Sequence, residues 1–249
     1  MNAIFLESSE DLTGDLVSSH LVSSKDTYIL THLHSVIKPA IGDQLKVIVK
    51  DQGLYLAELI SLSAEEVKLE IKKALKKVEP WIDLVIGVSR PQTTKKILEH
   101  GTTYGVKSFH FFMAELSEKS YLTSKVLTSE EGQELLKLGL SQSARYYKLP
   151  QVKTSLFNPA NQYKDFDFKF ILEFDEAKRF TEIPLPDLSG GKQAKIVLAI
   201  GPERGFRTND INRFIEAGFQ KVTISEAVLR VEHALYSSLA QLELLTKKY

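Results

Sequence analysis

Hydrophobic and polar residues alternate over residues 1–74 in a way that is typical of short β-strands. Asp51-Gln52-Gly53 separates two of the alternating runs and favours a hairpin turn. Thr27–Lys38 is more helical than extended in its pattern and stops before Pro39. The strand-like runs are Ala3–Glu7, Gln44–Lys50, Leu54–Ser61 and Val67–Lys73. Residues 1–74 are therefore predicted to form a small β-rich module.

From Trp81 onward the pattern changes to alternating strands and helices. The lysine-rich segment Ala74–Pro80 marks the predicted boundary, which places the second domain at residues 75–249. The predicted strands are Trp81–Val88, Val106–Met113, Phe168–Phe174, Lys195–Ile200 and Val222–Ile224, and the predicted helices include Thr93–Tyr104, Ser129–Tyr147 and Asn209–Ala217. Such alternation predicts an α/β fold with a mostly parallel sheet and helices on both faces.

The most informative stretch runs from Lys195 to Leu245. Its apolar strand ends in a sharp glycine turn, Gly201–Gly205, after which Thr208 is the predicted N-cap of a helix and Gly218 its predicted stop. Strand ends followed by glycine or serine loops are where an open α/β sheet binds small ligands. A βαβα unit with ordinary turns is the alternative interpretation. The turn lacks the spacing of a P-loop or of a dinucleotide fingerprint, so neither site is expected.

The last helix presents one apolar face, made of Val231, Ala234 or Leu235, Leu239, Leu242 and Leu245. This pattern indicates burial, either in the core of the chain or in a subunit interface.

Composition limits the cellular location and the kinds of binding site that are expected of the protein. The chain has no cysteine, no apolar run long enough to span a membrane and no recognisable leader, so a soluble, cytoplasmic protein without membrane contact is expected. Lys and Arg balance Asp and Glu at 32 each, so net charge gives no general indication of nucleic-acid binding. The 6 histidines show no metal-ligand spacing, and no metal is expected.

Two motifs together resemble the C-terminal signature of the RsmE family. They are Gly201-Pro202-Glu203-Arg204-Gly205-Phe206 and Leu229-Arg230-Val231-Glu232-His233-Ala234, where the family carries a GPEGG-F turn and an LR-T-E-T-A turn. Tyr104-Gly105-Val106 and Gln142-Ser143-Ala144-Arg145 also match family segments. RsmE proteins are SPOUT-class methyltransferases that modify N3 of a uridine in 16S ribosomal RNA.

The resemblance implies a PUA-like β-barrel over residues 1–74 and a SPOUT domain with a C-terminal trefoil knot over residues 75–249. It also implies S-adenosylmethionine as the cofactor, held mainly by the backbone of three loops, and a homodimer. The implied cofactor-binding residues are Leu172, Glu173, Ile200, Gly201, Pro202, Glu203, Gly205, Ile224, Ser225, Val228, Leu229 and Arg230.

Methylation of uridine N3 requires loss of a proton and stabilisation of the developing imidate charge. Arg230 and Arg145 are the candidate cations, and Glu203 and Glu232 the candidate orienting groups. A structural Arg/Glu ion pair is the alternative, and His233 is either a nearby base or a packed helix residue.

The candidate RNA-binding residues are Lys38, Lys72, Lys73, Arg90 and Arg145. A solvated strand edge and linker would explain the lysines equally well.

Three functions are consistent with these features. The first is an S-adenosylmethionine-dependent methyltransferase that acts on uridine N3 in 16S rRNA or the small ribosomal subunit. The second is a divergent SPOUT homologue that binds RNA or cofactor, or methylates a different RNA. Four departures from the family pattern favour it. Arg204 replaces a glycine of the turn, Val231 and His233 replace hydroxyl residues, and Lys38 replaces an arginine. Arg204 would strain a backbone position that requires positive φ. The third is an unrelated α/β ligand-binding protein.

Overall fold

The computed structural model describes residues 2–7 and 20–248, and their contacts divide the chain into two compact units. The first unit contains Met1–Glu79 and Leu140–Leu149, and the second contains Pro80–Gly139 and Pro150–Tyr249. The short segment Leu140–Leu149 thus belongs with the N-terminal part of the chain, which its own sequence pattern does not indicate.

The first unit is built on a five-stranded sheet in the order β1-β3-β4-β5-β2, in which β1 is parallel to β3 and the other pairs are antiparallel. Its elements are β1 (Ile4–Leu6), β2 (His20–Ser24), α1 (Thr27–His32), β3 (Gln44–Val49), β4 (Gly53–Leu62) and β5 (Val67–Ala74). A π-helix, Leu33–Ile37, continues α1 and ends at Lys38 with φ of 50°. The predicted hairpin is confirmed, because Val49 pairs with Gly53 across Asp51.

The second unit is built on a seven-stranded sheet, in the order β10-β12-β9-β11-β6-β7-β8, whose described pairs are all parallel. Its strands are β6 (Ile82–Gly87), β7 (Val106–Phe112), β8 (Gln151–Ser155), β9 (Phe168–Leu172), β10 (Lys178–Arg179), β11 (Ile196–Ile200) and β12 (Gln220–Thr223). The helices are α2 (Pro91–Thr103), α3 (Lys119–Leu122), α4 (Lys125–Thr128), α5 (Glu130–Ser143), α6 (Thr208–Glu216) and α7 (Val231–Leu245), and the end of α5 lies in the first unit. The predicted parallel sheet is confirmed.

The central strands β6 and β11 are buried along their whole length, because a parallel sheet that is covered on both faces excludes water from every residue. Helix α7 packs against α2 and β11. Leu235, Leu239 and Leu242 on its apolar face are fully buried within the chain. That apolar face is therefore part of the hydrophobic core of the second unit.

Helix α6 ends in a Schellman motif that confirms the predicted stop at Gly218. Gly218 has φ of 86°, and its N–H donates to the carbonyl of Ile215 at 2.9 Å. The N–H of Phe219 donates to the carbonyl of Phe214 at 3.0 Å, and the two rings lie 4.9 Å apart. These bonds satisfy carbonyls that the helix leaves free, and the ring contact covers them.

Several predicted boundaries are wrong. Thr208 is not the N-cap of α6: Arg207 is the extended N-cap residue, Thr208 is already helical, and no side chain caps this end. Helix α5 ends at Ser143 rather than Tyr147, because Ala144 adopts φ of 46°, outside the helical region. Strands β2, β8 and β10 and the one-turn helices α3 and α4 were not predicted. Within the described residues, no helix is long and apolar enough to cross a membrane.

Candidate active site

A cavity that is open to solvent lies at the carboxyl ends of the neighbouring strands β9, β11 and β12. Three loops form its walls, one after each strand. All predicted cofactor-binding residues except Arg230 line it: Leu172, Glu173, Ile200, Gly201, Pro202, Glu203, Gly205, Ile224, Ser225, Val228 and Leu229. The lining is mostly apolar, as is typical of small-molecule sites.

Seven further lining residues were missed: Phe174, Phe206, Val222, Thr223, Ala227, Val231 and Ala234. Six of them lie next to a predicted lining residue or within the same strand and loop. Ala234 lies one helical turn beyond Arg230, and only the fold brings it to the cavity. Phe206 forms an aromatic cluster with Phe112 and Phe214, at ring distances of 5.9 and 5.4 Å. This cluster gives the wall of the cavity a rigid support.

The glycine turn is closed by a hydrogen bond from the Gly205 N–H to the Pro202 carbonyl, at 2.8 Å. Gly205 has φ of 74°, and a Cβ atom on Gly201 would lie 3.1 Å from the backbone of Gly205. Gly205 is therefore favoured by its positive φ, and the absence of a side chain at Gly201 allows the two backbone segments to approach closely. The expected strain at Arg204 is wrong: Arg204 is not among the residues with positive φ, its side chain is exposed, and it does not line the cavity.

Glu203 connects the glycine turn to the start of α2. Its Oε1 accepts a hydrogen bond of 2.9 Å from the backbone N–H of Arg90, the N-cap residue of α2. A carboxylate at the N-terminus of a helix is stabilised by the free N–H groups and by the helix dipole. The Glu203 carboxylate thus holds the glycine turn in position. The guanidinium of Arg90 contacts Tyr121.

Glu232 lies at the start of α7 and is paired with a lysine that the sequence did not single out. Its side chain is buried, and Oε1 lies 3.0 Å from Nζ of Lys96 on α2. Burial by itself raises the pKa of Glu232, but the hydrogen bond from its own backbone N–H and the Lys96 ammonium outweigh burial and hold that pKa below its usual value. The alternative interpretation of Glu232 as part of a structural ion pair therefore has direct geometric support.

Arg230 is the extended N-cap residue of α7, and its carbonyl accepts the Ala234 N–H at 2.8 Å. Its side chain is exposed and forms no ion pair with any residue in the part of the chain that the structure describes. Leu229 and Val231 on either side of it line the cavity. Arg230 is therefore an exposed cation between two residues that line the cavity, and its guanidinium has no ion-pair partner in the described chain. His233 is also exposed and lies 6.4 Å from the Tyr236 ring.

The remaining predicted cations lie in the first unit. Lys38, Lys73 and Arg145 are exposed. Lys72 is neutralised, because its Nζ lies 2.7 Å from Glu70 and 3.2 Å from Glu58. Of the lysine pair 72 and 73, only Lys73 thus has a charge that is available to a phosphate. Among residues 2–7 and 20–248, no group of three or more His, Asp or Glu side chains could hold a metal ion.

We expect Lys96→Met to lower the free energy of unfolding by about 1–3 kcal/mol, because it leaves the buried Glu232 carboxylate without its partner. Lys95→Met is the matched control. In the wild type, Lys95 and Glu131 form an ion pair whose two side chains are each about one-third exposed, so this variant should change the free energy of unfolding by less than about 1 kcal/mol. Urea unfolding monitored by circular dichroism measures both values.

The pH dependence of the Lys96→Met effect follows from the lowered pKa of Glu232. A carboxylate whose folded-state pKa is depressed stabilises the protein above its unfolded pKa, and this stabilisation is lost as pH falls through the folded value. The difference between wild type and Lys96→Met should thus be full at neutral pH and shrink in acid. An equal difference in the free energy of unfolding at neutral and at acid pH would contradict the ion-pair explanation.

A parallel α/β sheet with a cavity between three loops at its carboxyl edge defines a class of small-molecule-binding enzyme folds. The chain matches the RNA methyltransferase domain family over residues 76–243, and it belongs to this family. The predicted class of enzyme is confirmed by this match.

Two relatives of similar length are close to the chain over nearly its whole extent. Ribosomal RNA small subunit methyltransferase E 1 of Borreliella burgdorferi is 28% identical over 243 residues, with 94% of each chain covered. Ribosomal RNA small subunit methyltransferase E of Treponema pallidum is 27% identical, with 96% of this chain and 90% of the relative covered. Their names are those of the family that the two C-terminal motifs predict.

Solved structures share the fold over the full chain. The ribosomal RNA small subunit methyltransferase E of Neisseria gonorrhoeae, solved with S-adenosyl methionine, superimposes with a TM-score of 0.75 at 21% identity, covering 98% of both chains. A Legionella pneumophila protein, solved with the same cofactor, gives a TM-score of 0.73 at 19% identity, also with 98% of both chains covered.

Proposed function

We propose that this protein is an S-adenosylmethionine-dependent methyltransferase that acts on N3 of a uridine in 16S ribosomal RNA. The proposal depends on one observation: the glycine turn and the Leu229–Ala234 segment line the same cavity. Both segments were matched to RsmE motifs by sequence alone, and both belong to a chain of the RNA methyltransferase domain family. The names of the relatives support ribosomal RNA of the small subunit as the target.

The cavity fits the cofactor in chemistry. Its walls are apolar side chains and loop backbone, which suit an adenine ring and its hydrogen-bonding edge. Gly201 and Gly205 allow the backbone to approach a ligand closely. When bound, the cofactor supplies an electrophilic methyl group. The residues that would hold it are those of the three loops, Leu172–Phe174, Ile200–Phe206 and Ile224–Val231.

Arg230 is proposed to stabilise the uridine imidate at the cavity mouth, because its exposed guanidinium has no partner in the described chain. Glu203 and Glu232 act as positioning residues: one fixes the glycine turn on Arg90 N–H and the other fixes the start of α7 on Lys96. In the first unit, Arg145, Lys38 and Lys73 are proposed to contact RNA, with Lys72 contributing less because two glutamates neutralise it.

A knot, a PUA-like first unit and a homodimer complete the proposal. The knot is supported by contacts of the end of α7: the Leu188 N–H donates to the Thr246 carbonyl at 2.7 Å, and Gln241 donates to the Ile224 carbonyl at 3.1 Å. The PUA-like assignment is supported by the small, mostly antiparallel sheet of the first unit. The dimer rests on the family resemblance alone.

Cofactor binding should stabilise the fold. At about 100 times its dissociation constant, S-adenosylmethionine is expected to add about 2.7 kcal/mol of stability, measured as a rise in melting temperature. Ala234→Phe should abolish the rise, because Ala234 lines the cavity. Ala240→Phe on the exposed side of α7 is the matched control and should retain it. No rise for the wild type at millimolar cofactor would contradict the assignment of the cavity.

Methyl transfer tests the target separately. Labelled S-adenosylmethionine should transfer its methyl group to small ribosomal subunits or bare 16S rRNA, and nucleoside mass spectrometry should identify 3-methyluridine. A wild-type protein that binds the cofactor but labels neither substrate would favour a homologue with a different RNA target.

A further inference from the structure

The carboxyl ends of all seven parallel strands lie on one edge of the second unit's sheet, and the cavity occupies only part of this edge. Beyond β11 the edge continues through the ends of β6, β7 and β8. From β9, which contributes Phe174 to the cavity, to β8 there are four strand spacings, or about 19 Å. This length suits a few nucleotides of an extended strand.

Positive charge without a partner lies next to the cavity on this edge. Arg204 and Arg207 follow β11, are exposed, and form no ion pair with any residue of the described ranges 2–7 and 20–248. Two acidic side chains beside them already accept hydrogen bonds. Glu203 accepts the Arg90 N–H, and Asp210, which is 4% exposed, accepts the Glu115 N–H at 3.0 Å. The two guanidinium groups are therefore available for phosphate oxygens.

Exposed aromatic rings lie on the same edge. Phe174 follows β9, lines the cavity and is 52% exposed. Phe157 follows β8 and is 77% exposed. Its backbone is fixed, because Ser155 Oγ donates to the Phe157 carbonyl at 2.8 Å and the Met113 N–H donates to the Ser155 carbonyl at 3.1 Å. An exposed ring on an anchored backbone offers a stacking surface for a base at low entropic cost.

We propose that a single-stranded segment of the substrate RNA lies along this edge, with phosphates bound by Arg204 and Arg207 and bases stacked on Phe174 and Phe157. Guanidinium groups that track a backbone, combined with aromatic rings that stack bases, are the chemistry by which proteins bind single-stranded nucleic acid. The inference rests on the proposed function for the identity of the ligand as RNA. It assigns a role to Arg204, whose side chain neither lines the cavity nor strains the turn.

The test is fluorescence anisotropy with a short, labelled single-stranded RNA of mixed sequence, titrated at several salt concentrations. The double variant Arg204→Ala, Arg207→Ala should bind at least about tenfold more weakly, with a salt slope lower by roughly 1.4, since each phosphate contact on a single strand contributes about 0.7. Phe157→Ala should weaken binding by about 5- to 140-fold, the range of one lost stacking contact. Arg213→Ala, an exposed arginine in the last turn of α6, is the matched control and should bind as wild type does.

Cofactor-induced stabilisation should be unchanged in all these variants, which separates RNA binding from damage to the cavity. Wild-type affinity and salt slope in the double arginine variant would overturn the inference, as would equal losses for Arg213→Ala. If the arginine and Phe157 variants lose RNA affinity while wild type fails to methylate 16S rRNA, the proposed function fails and the RNA-binding edge stands. If wild type methylates 16S rRNA and the variants bind and methylate equally well, only the edge is wrong.

Discussion

Arg230→Ala is expected to lower the single-turnover rate of methyl transfer by about 10²–10³-fold. Arg230 has an exposed guanidinium with no ion pair in the described chain, and both sequence neighbours line the cavity. A cation that interacts with charge appearing only during transfer contributes to the rate rather than to cofactor affinity. Arg230→Lys should recover little if two N–H groups contact the substrate. Single-turnover assays with labelled cofactor, at saturating RNA, measure the rate.

The control is Arg213→Ala, which removes an exposed arginine far along α6 and should leave the rate unchanged. Cofactor affinity is measured in parallel by thermal shift. An Arg230→Ala variant with weakened cofactor binding and an unchanged rate at saturation would assign Arg230 to cofactor binding, its other predicted role, and would contradict a role in charge stabilisation.

Leu239→Asp is expected to unfold the second unit. Leu239 is 0% exposed on the face of α7 that packs in the core, so the change places a carboxylate where no water reaches it. Removal of a buried leucine side chain alone costs about 2–5 kcal/mol. The uncompensated charge adds to this cost, and the sum approaches the whole stability of an ordinary domain. Loss of the cooperative melting transition and of the far-ultraviolet helical signal would report the unfolding.

Leu244→Asp is the matched control on the same helix, because Leu244 is 62% exposed. It should fold with a change in stability within about 0.5 kcal/mol. A soluble, folded monomer from Leu239→Asp would contradict burial within one chain and would instead support the other interpretation of the apolar face, an interface between subunits.

The cavity walls could be predicted from sequence because their determinants are local. An apolar run that ends in Gly201-Pro202 defines both the buried strand and the point where the chain turns. The glycine turn then needs residues without Cβ atoms, which a sequence displays directly. The Leu229–Ala234 segment was matched as a motif, and its place beside the turn follows from strands β11 and β12 both neighbouring β9.

Other parts depend on contacts between distant residues and had no local signal. Lys95 and Lys96 are adjacent and alike in sequence, and only the packing of α2 on α7 brings Lys96 to Glu232. Strand β8 is an edge strand with a half-exposed, polar sequence, so it lacks the apolar run by which strands are predicted. Arg204 was misjudged because the family pattern has glycine there, whereas the turn itself needs positive φ only at Gly205.

The strand order of the second unit has a consequence for folding during synthesis. Strand β6 pairs with β11 in the centre of the sheet. Ile82 therefore has no β11 partner until Ile196 is synthesised, 114 residues later (196 − 82). At synthesis rates of about 5–20 residues per second, this interval is roughly 6–23 s. Throughout this interval, one edge of a mostly apolar central strand has no β11 partner, and such an edge is prone to pair with other chains. Aggregation during expression should therefore depend on how quickly the segment from β6 to β11 is translated.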